Sequence, residues 1–105
     1  MVQKFGAGIW HFATYVDRYN TEGYGEPRSV LDAIKLAGQV KDLSVVDINF
    51  PYFGGSFSNQ QIKNELHEAD LEVIGITPEI YTKEFRKGAF TNPDPGIRNR
   101  AHELI

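Results

Sequence analysis

Hydrophobic and polar positions repeat with two different periods along the chain. A period of two, which is typical of strands, covers residues 4–12, 43–50 and 72–77. A helical period follows each of these three segments, and the order β-α-β-α-β-α predicts an α/β fold with parallel strands and right-handed crossovers. The apolar positions of the helical segments are Val30, Ile34, Ala37 and Val40, then Ile62, Leu66 and Ala69, then Ile97, Ala101, Leu104 and Ile105.

Each helical segment carries a start signal. Ser29 and Ser58 precede the first two helices, and each is followed three residues later by a side chain, Asp32 or Gln61, that can complete a capping box. Asp94 precedes the third helix and is followed by a proline, which is favoured at the first helical position. The three helices are therefore predicted to begin directly after these three residues.

The connections differ in length according to the element that they follow. Residues 13–27 form a long loop after the first strand, with Tyr15, Tyr19 and Tyr24 in it, whereas the connections after helices are short. Loops of this length are usually functional or disordered, and the aromatic residues favour an ordered loop. Long loops after strands are typical of a (β/α)8 TIM barrel with its active site at the carboxyl ends of the strands.

The chain is too short to close such a barrel. It has 105 residues, and a barrel of this type needs about 250. We therefore expect residues 1–105 to be the first three βα units of an incomplete barrel, whether as an expressed fragment, a split subunit or a truncated gene. A face lined by Gly6, Gly8 and Gly75 would need the remaining barrel segment or a homo-oligomer to cover it. The alternative is a small self-sufficient α/β domain.

Two segments carry a resemblance to a known family. Residues 85–94, FRKGAFTNPD, followed by Arg98 and Ala101, resemble the segment after the third strand in the xylose isomerase family. In that family the aromatic residue of this loop forms part of the wall of the sugar pocket, which implies that role for Phe90. The first-strand run FGAGIW is also similar, and the family's first strand ends in a pocket tryptophan, here Trp10.

Two strands depart from the family pattern. Xylose isomerases carry a histidine on the second strand, where this chain has Asn49, which can hydrogen-bond a hydroxyl but cannot act as a general base. The third strand reads TPEI at residues 77–80, where the family has TNLF. The resemblance is therefore to the broader group of xylose isomerase-like barrels, which isomerise or epimerise various sugars, and it covers about the first third of such a barrel.

The candidate site residues follow from strand positions and from this resemblance. Trp10, Asn49 and Phe90 are the predicted substrate-binding residues. His11 is the predicted catalytic residue, because its unperturbed pKa lies near neutrality, although strict alternation with Trp10 would point it away from the barrel axis. Glu79 is interpreted as a solvated loop carboxylate in preference to an acid–base group.

The resemblance also implies a divalent metal ion, Mg, Mn or Co. In the family its carboxylate and histidine ligands lie on later strands, so we expect no metal ligands within this chain. The absence of cysteine excludes thiolate metal sites.

A net charge of −3, with both signs mixed along the chain, argues against nucleic-acid binding and against the DNA-repair endonucleases that share this barrel. No signal-peptide pattern or membrane-spanning apolar run is present, and we expect a cytoplasmic protein.

These observations lead to two hypotheses of different classes. The first is the N-terminal part of a metal-dependent sugar isomerase or epimerase, with a small-molecule sugar as substrate. The second is a non-catalytic sugar-binding or interaction module derived from the same barrel. Whether this chain is by itself an enzyme stays open, since the metal-site strands lie outside it.

Overall fold

The computed structural model describes residues 3–14, 16, 19–20, 22–80 and 82–105. Tyr15, named above in the first loop, lies outside the described residues. The helices and strands, in chain order, are β1 (Phe5–Gly8), α1 (Val30–Gly38), β2 (Leu43–Phe50), α2 (Asn59–Glu68), β3 (Glu72–Pro78) and α3 (Pro95–Glu103). Two short 3₁₀ turns, Ile9–Phe12 and Lys83–Phe85, follow β1 and β3.

The three strands form one open parallel sheet. Their order is β1-β2-β3, with β2 in the centre, and both pairings are parallel. The predicted α/β class and the parallel sheet are therefore confirmed. No helix among the described residues combines the length and the apolar character needed to cross a bilayer.

The first strand is shorter than predicted. The alternating pattern indicated a strand over residues 4–12, but β1 ends at Gly8 and the chain turns into a 3₁₀ helix in which the Ala13 N–H donates to the Trp10 carbonyl at 3.2 Å. The indole of Trp10 then folds back over Gly8, and a Cβ on that glycine would collide with the ring. The alternation therefore stops at residue 8, because packing of Trp10 on a glycine replaces further strand pairing.

The predicted start signals are confirmed at all three helices. Ser29 and Ser58 each accept a hydrogen bond from the backbone N–H three residues on, and the side chains of Asp32 and Gln61 accept from the serine N–H groups in return. The Asp94 carboxylate accepts from the N–H of Gly96 at 2.8 Å. These local contacts fix where each helix leaves its loop.

The core lies between one face of the sheet and the helices α1 and α2. Gly38 lets the two helices approach closely, because a Cβ there would lie 2.9 Å from the Cβ of Ala69. Burial of each large aliphatic side chain in this layer contributes about 1.5–3 kcal/mol. The buried members are Ile9, Val30, Ala33, Ile34, Ala37, Val46, Ile48, Ile62, Leu66 and Leu71.

A bulge in β3 decides which residues face away from this core. Val46 pairs with Val73, but Asp47 pairs with Gly75, so Ile74 is an extra residue in the ladder. Because paired residues share a face, the bulge sends Val73 to the helix side and Gly75 to the opposite side. We call that opposite side the glycine face; its residues are Gly6, Gly8, Val45, Asp47, Asn49, Gly75 and Thr77.

The third helix does not cover its own strand. Ile76 pairs with Ile48 on the helix side of the sheet, and it is 72% exposed. In a (β/α)8 barrel each helix packs against the outer face of the barrel. Here Arg100 of α3 and Leu104, the residue directly after α3, line a cavity at the end of the sheet where the strands terminate. The third βα unit is therefore arranged differently from the first two.

Candidate functional site

A cavity of about 520 Å³ lies at the carboxyl ends of the three strands. The loops that follow each strand and one side of α3 form its wall, so we call it the mouth cavity. Its volume falls within the range of small-molecule sites in proteins. Residues that contribute to its lining include Trp10, Arg28, Asn49, Tyr52, Glu79 and Arg100.

Trp10 presents an aromatic surface to this cavity. The 3₁₀ turn after β1 places it there, and its side chain is held against Gly8 while the residue remains 41% exposed. The ring of His11 lies beside it, with 5.9 Å between the ring centroids and an angle of 36° between the planes. A flat, partly exposed indole of this kind can pack against the apolar face of a ligand.

Asn49 contributes a buried acceptor to the same cavity. It is the second-last residue of β2 and is 3% exposed, and its Oδ1 accepts no hydrogen bond from any described residue. Leaving such an acceptor unpaired costs about 1–3 kcal/mol, and native proteins satisfy nearly all buried polar groups. Asn49 lines the cavity, while its Oδ1 is itself buried from solvent and has no donor among the described residues.

Asn92 shows the contrasting case of a buried asparagine with both amide atoms paired. It is 6% exposed; its Nδ2 donates to the Gly88 carbonyl at 2.7 Å, and its Oδ1 accepts from the Asp94 N–H at 2.9 Å. Arg98 donates to the Asn92 carbonyl at 2.6 Å, and Gly88 has a positive φ of 118° that favours glycine. These hydrogen bonds and the backbone conformation of Gly88 explain, from the structure of the loop itself, why these residue types occur within residues 88–98.

The four predicted site residues do not all meet. Trp10 and Asn49 line the mouth cavity together, as does Glu79. Among the described residues, Phe90 and His11 do not belong to that lining: Phe90 packs against His102 of α3, with 5.1 Å between the ring centroids, and His11 lies against Trp10. The catalytic role of His11 and the substrate-binding roles of the other three stay predictions.

Two charged side chains at the cavity wall, Arg100 and Glu84, form an ion pair with each other. Arg100 donates to both carboxylate oxygens of Glu84, at 2.6 Å from Nε and 3.2 Å from a terminal nitrogen. This hydrogen bond, together with the negative charge of Glu84, raises the pKa of Arg100. Arg28 donates to the Phe12 carbonyl at 3.1 Å, which holds its guanidinium at the rim. Both carboxylate oxygens of Glu84 are therefore engaged by Arg100.

Sequence reasoning missed several of these lining residues. Arg28, Tyr52, Glu84 and Arg100 lie on four separate segments, and no motif or periodicity links them. The strand ends were the available signal, since the carboxyl ends of parallel strands meet at one edge of a sheet. That signal pointed to Trp10 and Asn49 but carried no information on how the later loops and α3 fold over this edge.

The described residues offer no metal centre. No group of three or more His, Cys, Asp or Glu side chains lies close enough together among them to hold an ion. The residues present therefore do not fit the divalent metal that the family resemblance implies. The expectation that its ligands lie outside this chain stays a prediction.

No protein-family model matches this chain, and a search of curated proteins finds no significant match.

Proposed function

We propose that this chain forms the sugar-binding mouth of a xylose isomerase-like (β/α)8 barrel whose assembled form is a metal-dependent sugar isomerase or epimerase. One observation carries the proposal: Asn49, a buried asparagine whose amide oxygen has no partner among the described residues, lines a cavity of about 520 Å³ together with Trp10. Sugars combine hydroxyl donors with an apolar ring face, which matches Asn49 and Trp10. The resemblance of residues 5–10 and 85–94 to the family supports the same conclusion.

Asn49 and Trp10 would contact different parts of the sugar. The Asn49 amide would hydrogen-bond a ligand hydroxyl, since an amide can both donate and accept. The C–H face of the ring packs against Trp10, which is exposed on the side of the cavity. Together these contacts orient the carbons whose hydrogen is moved in an isomerisation or epimerisation.

Proton exchange needs a group other than Asn49, because an amide does not titrate near neutral pH. We propose His11 for this part, since its ring lies beside Trp10 and histidine is the commonest acid–base side chain in catalysis. The metal ion of the family, with its ligands, would belong to later strands, and so would most catalytic groups. The exposed Ile76 supports assembly with that segment or with a second copy. We also propose a cytoplasmic location, as expected for such an enzyme.

The second candidate is a sugar-binding module without activity. The observation in its favour is Asn49, an amide that cannot act as a general base, at the position where the family carries a histidine. It shares the mouth cavity with the first candidate, so both predict sugar binding and they differ only in turnover.

Intrinsic fluorescence tests the shared part directly, because Trp10 is the only tryptophan of the chain. The 105-residue chain is titrated with aldopentoses, aldohexoses and their ketose isomers. Binding at the mouth cavity should shift the emission to shorter wavelength as the indole loses water. Asn49→Leu should weaken the affinity about tenfold or more, because the ligand loses a hydrogen bond in a buried site. No shift and no calorimetric heat with any monosaccharide would overturn both candidates.

Turnover separates the two candidates. The chain, alone and with its assembly state recorded by sedimentation, is incubated with each bound sugar and Mn²⁺, and interconversion is followed by NMR. Turnover that His11→Gln removes without loss of binding supports the enzyme. Binding without turnover by any assembly of the chain, including one with a complementary barrel segment, supports the module.

A further inference from the structure

A second cavity, of about 430 Å³, shares Glu84 with the mouth cavity and lies between the 3₁₀ turn after β3 and the first turn of α3. Three of its lining residues are basic and fall within residues 83–87, although the protein as a whole has a net charge of −3. We call it the basic cavity; its lining residues are Lys83, Glu84, Arg86, Lys87, Asn92, Pro93, Asp94 and Ile97.

The backbone that carries the three basic residues is anchored in the fold. Phe85, in the middle of this segment, is 4% exposed. The N–H of Arg86 donates to the Lys83 carbonyl at 3.2 Å, and the N–H of Gly88 donates to the Phe85 carbonyl at 2.8 Å. The three basic side chains are exposed, so they extend into solvent from a hydrogen-bonded turn around one buried aromatic ring.

Both carboxylates of the basic cavity are engaged by groups other than these three cations. Arg100 donates to both oxygens of Glu84, and Asp94 Oδ1 accepts from the Gly96 N–H at 2.8 Å. Among the described residues, the three basic side chains form no ion pair and no hydrogen bond. Like charges three or four residues apart on a helical turn repel each other, so this cluster favours an anion from outside the described protein atoms.

We propose that the basic cavity binds the phosphate group of a small-molecule ligand. A phosphate monoester carries a charge of about −1.5 to −2 at pH 7 and three acceptor oxygens, and the three cations can compensate that charge. Arg86 can donate two parallel N–H bonds to it, whereas Lys83 and Lys87 act as point charges. This site goes beyond the proposed function and does not depend on it.

Inorganic phosphate is the first probe. Titration of the 105-residue chain in about 0.15 M chloride, where the Debye length is about 8 Å, should shift backbone NMR signals of residues 83–88 with a millimolar dissociation constant. Arg86→Gln should weaken the affinity about five- to tenfold, because charge-assisted hydrogen bonds are lost. Lys41→Gln is the matched control: it removes the same charge from an exposed residue outside the cavity and should bind within twofold of wild type. Signals that do not shift, or equal weakening in both variants, would overturn the proposal.

The ion pair of Glu84 gives a second readout in variants that keep all three cations. Arg100→Gln releases the Glu84 carboxylate, which then competes with phosphate for the basic side chains, and the affinity should fall about three- to fivefold. Arg100→Gln/Glu84→Gln removes the released carboxylate and should regain wild-type affinity within about twofold. A double variant as weak as the single one would refute the charge balance on which the proposal rests.

An aldose phosphate, compared with its free aldose and with inorganic phosphate, identifies the source of the phosphate group. Because Glu84 lines both cavities, one ligand can place its sugar in the mouth cavity and its phosphate in the basic cavity. Tighter binding of the aldose phosphate than of either part, with a change in Trp10 emission, supports that arrangement. Affinity equal to that of inorganic phosphate, with unchanged emission, supports a separate phosphorylated ligand at the same site.

The two probes keep the proposals apart. If the chain binds phosphate and no monosaccharide, the proposed function fails and the basic cavity stands as a phosphate site. If it binds a sugar and no phosphate, the proposed function stands and the phosphate site is refuted.

Discussion

Replacement of Asn49 by leucine is the sharpest test of the mouth cavity as a ligand site. Leucine has the same branching at Cγ as asparagine but is larger and carries no polar atom. The residue is 3% exposed, and its Oδ1 has no partner among the described residues. The substitution therefore exchanges an unpaired buried acceptor for an apolar group in the same space.

The expected effect on stability is a gain. An unpaired buried acceptor costs about 1–3 kcal/mol, and a change of shape in a packed site returns part of that as strain. We expect the free energy of unfolding to rise by about 1 kcal/mol, which corresponds to roughly 4–8 °C in the midpoint for a domain of this size. Most substitutions at buried positions destabilise, so a gain of this size would be diagnostic.

Asn92→Leu is the matched control. Asn92 is also buried, at 6% exposure, but both of its amide atoms are paired, with Gly88 and with Asp94. The same substitution there removes two hydrogen bonds and leaves two backbone groups without partners. We expect a loss of about 1–3 kcal/mol, since each bond contributes roughly 0.5–1.5 kcal/mol.

The assay is urea unfolding of both variants and wild type, followed by circular dichroism and read at equal slope. An Asn49→Leu variant that loses as much stability as Asn92→Leu would show that its oxygen is paired in solution, and the argument for a ligand at this position would fail. A stabilised Asn49→Leu variant that still binds sugar with wild-type affinity would show that the cavity binds without this residue.

Three further predictions concern other parts of the fold. Gly8→Ala should displace the indole from its seat and change its emission spectrum, whereas Gly25→Ala, where a Cβ meets nothing within 4 Å, should leave the spectrum unchanged. Ser58→Ala should lower the free energy of unfolding by about 1 kcal/mol in urea titrations, because it removes the capping-box acceptor at α2. Ile76→Lys should reduce self-association in sedimentation experiments with little loss of stability, because this side chain is 72% exposed on an uncovered strand; unchanged association would mean that β3 is not part of the contact.

Hydrogen bonds between residues two or three positions apart in the chain could be predicted from the sequence. The caps at Ser29, Ser58 and Asp94 join atoms two or three residues apart, so the residue types alone determine which bonds form. The parallel sheet also followed from the sequence, because alternating strand and helix periods leave few topologies open. The strand ends identified Trp10 and Asn49 as neighbours at one edge for the same reason.

Contacts between distant segments were decided by the tertiary structure alone. The pattern ran unbroken from residue 4 to 12, but β1 ends at Gly8 because the indole packs back on that glycine. The bulge at Ile74 depends on the register with β2, and a single extra residue reverses the face of every side chain before it.

The two buried asparagines show the same contrast between contacts set by nearby residues and contacts set by the tertiary structure. Asn49 and Asn92 are the same residue type, and the sequence alone does not distinguish how their amides are hydrogen-bonded. In the fold, Asn92 closes its own loop through Gly88 and Asp94, which are near in the chain, whereas the one neighbouring hydroxyl across the ladder from Asn49 is held by Asp47. Residues near in the chain determine the hydrogen bonds of Asn92. The unpaired oxygen of Asn49 instead depends on how β2 and β3 align, with Asp47 and Thr77 30 residues apart, and only the folded sheet determines that alignment.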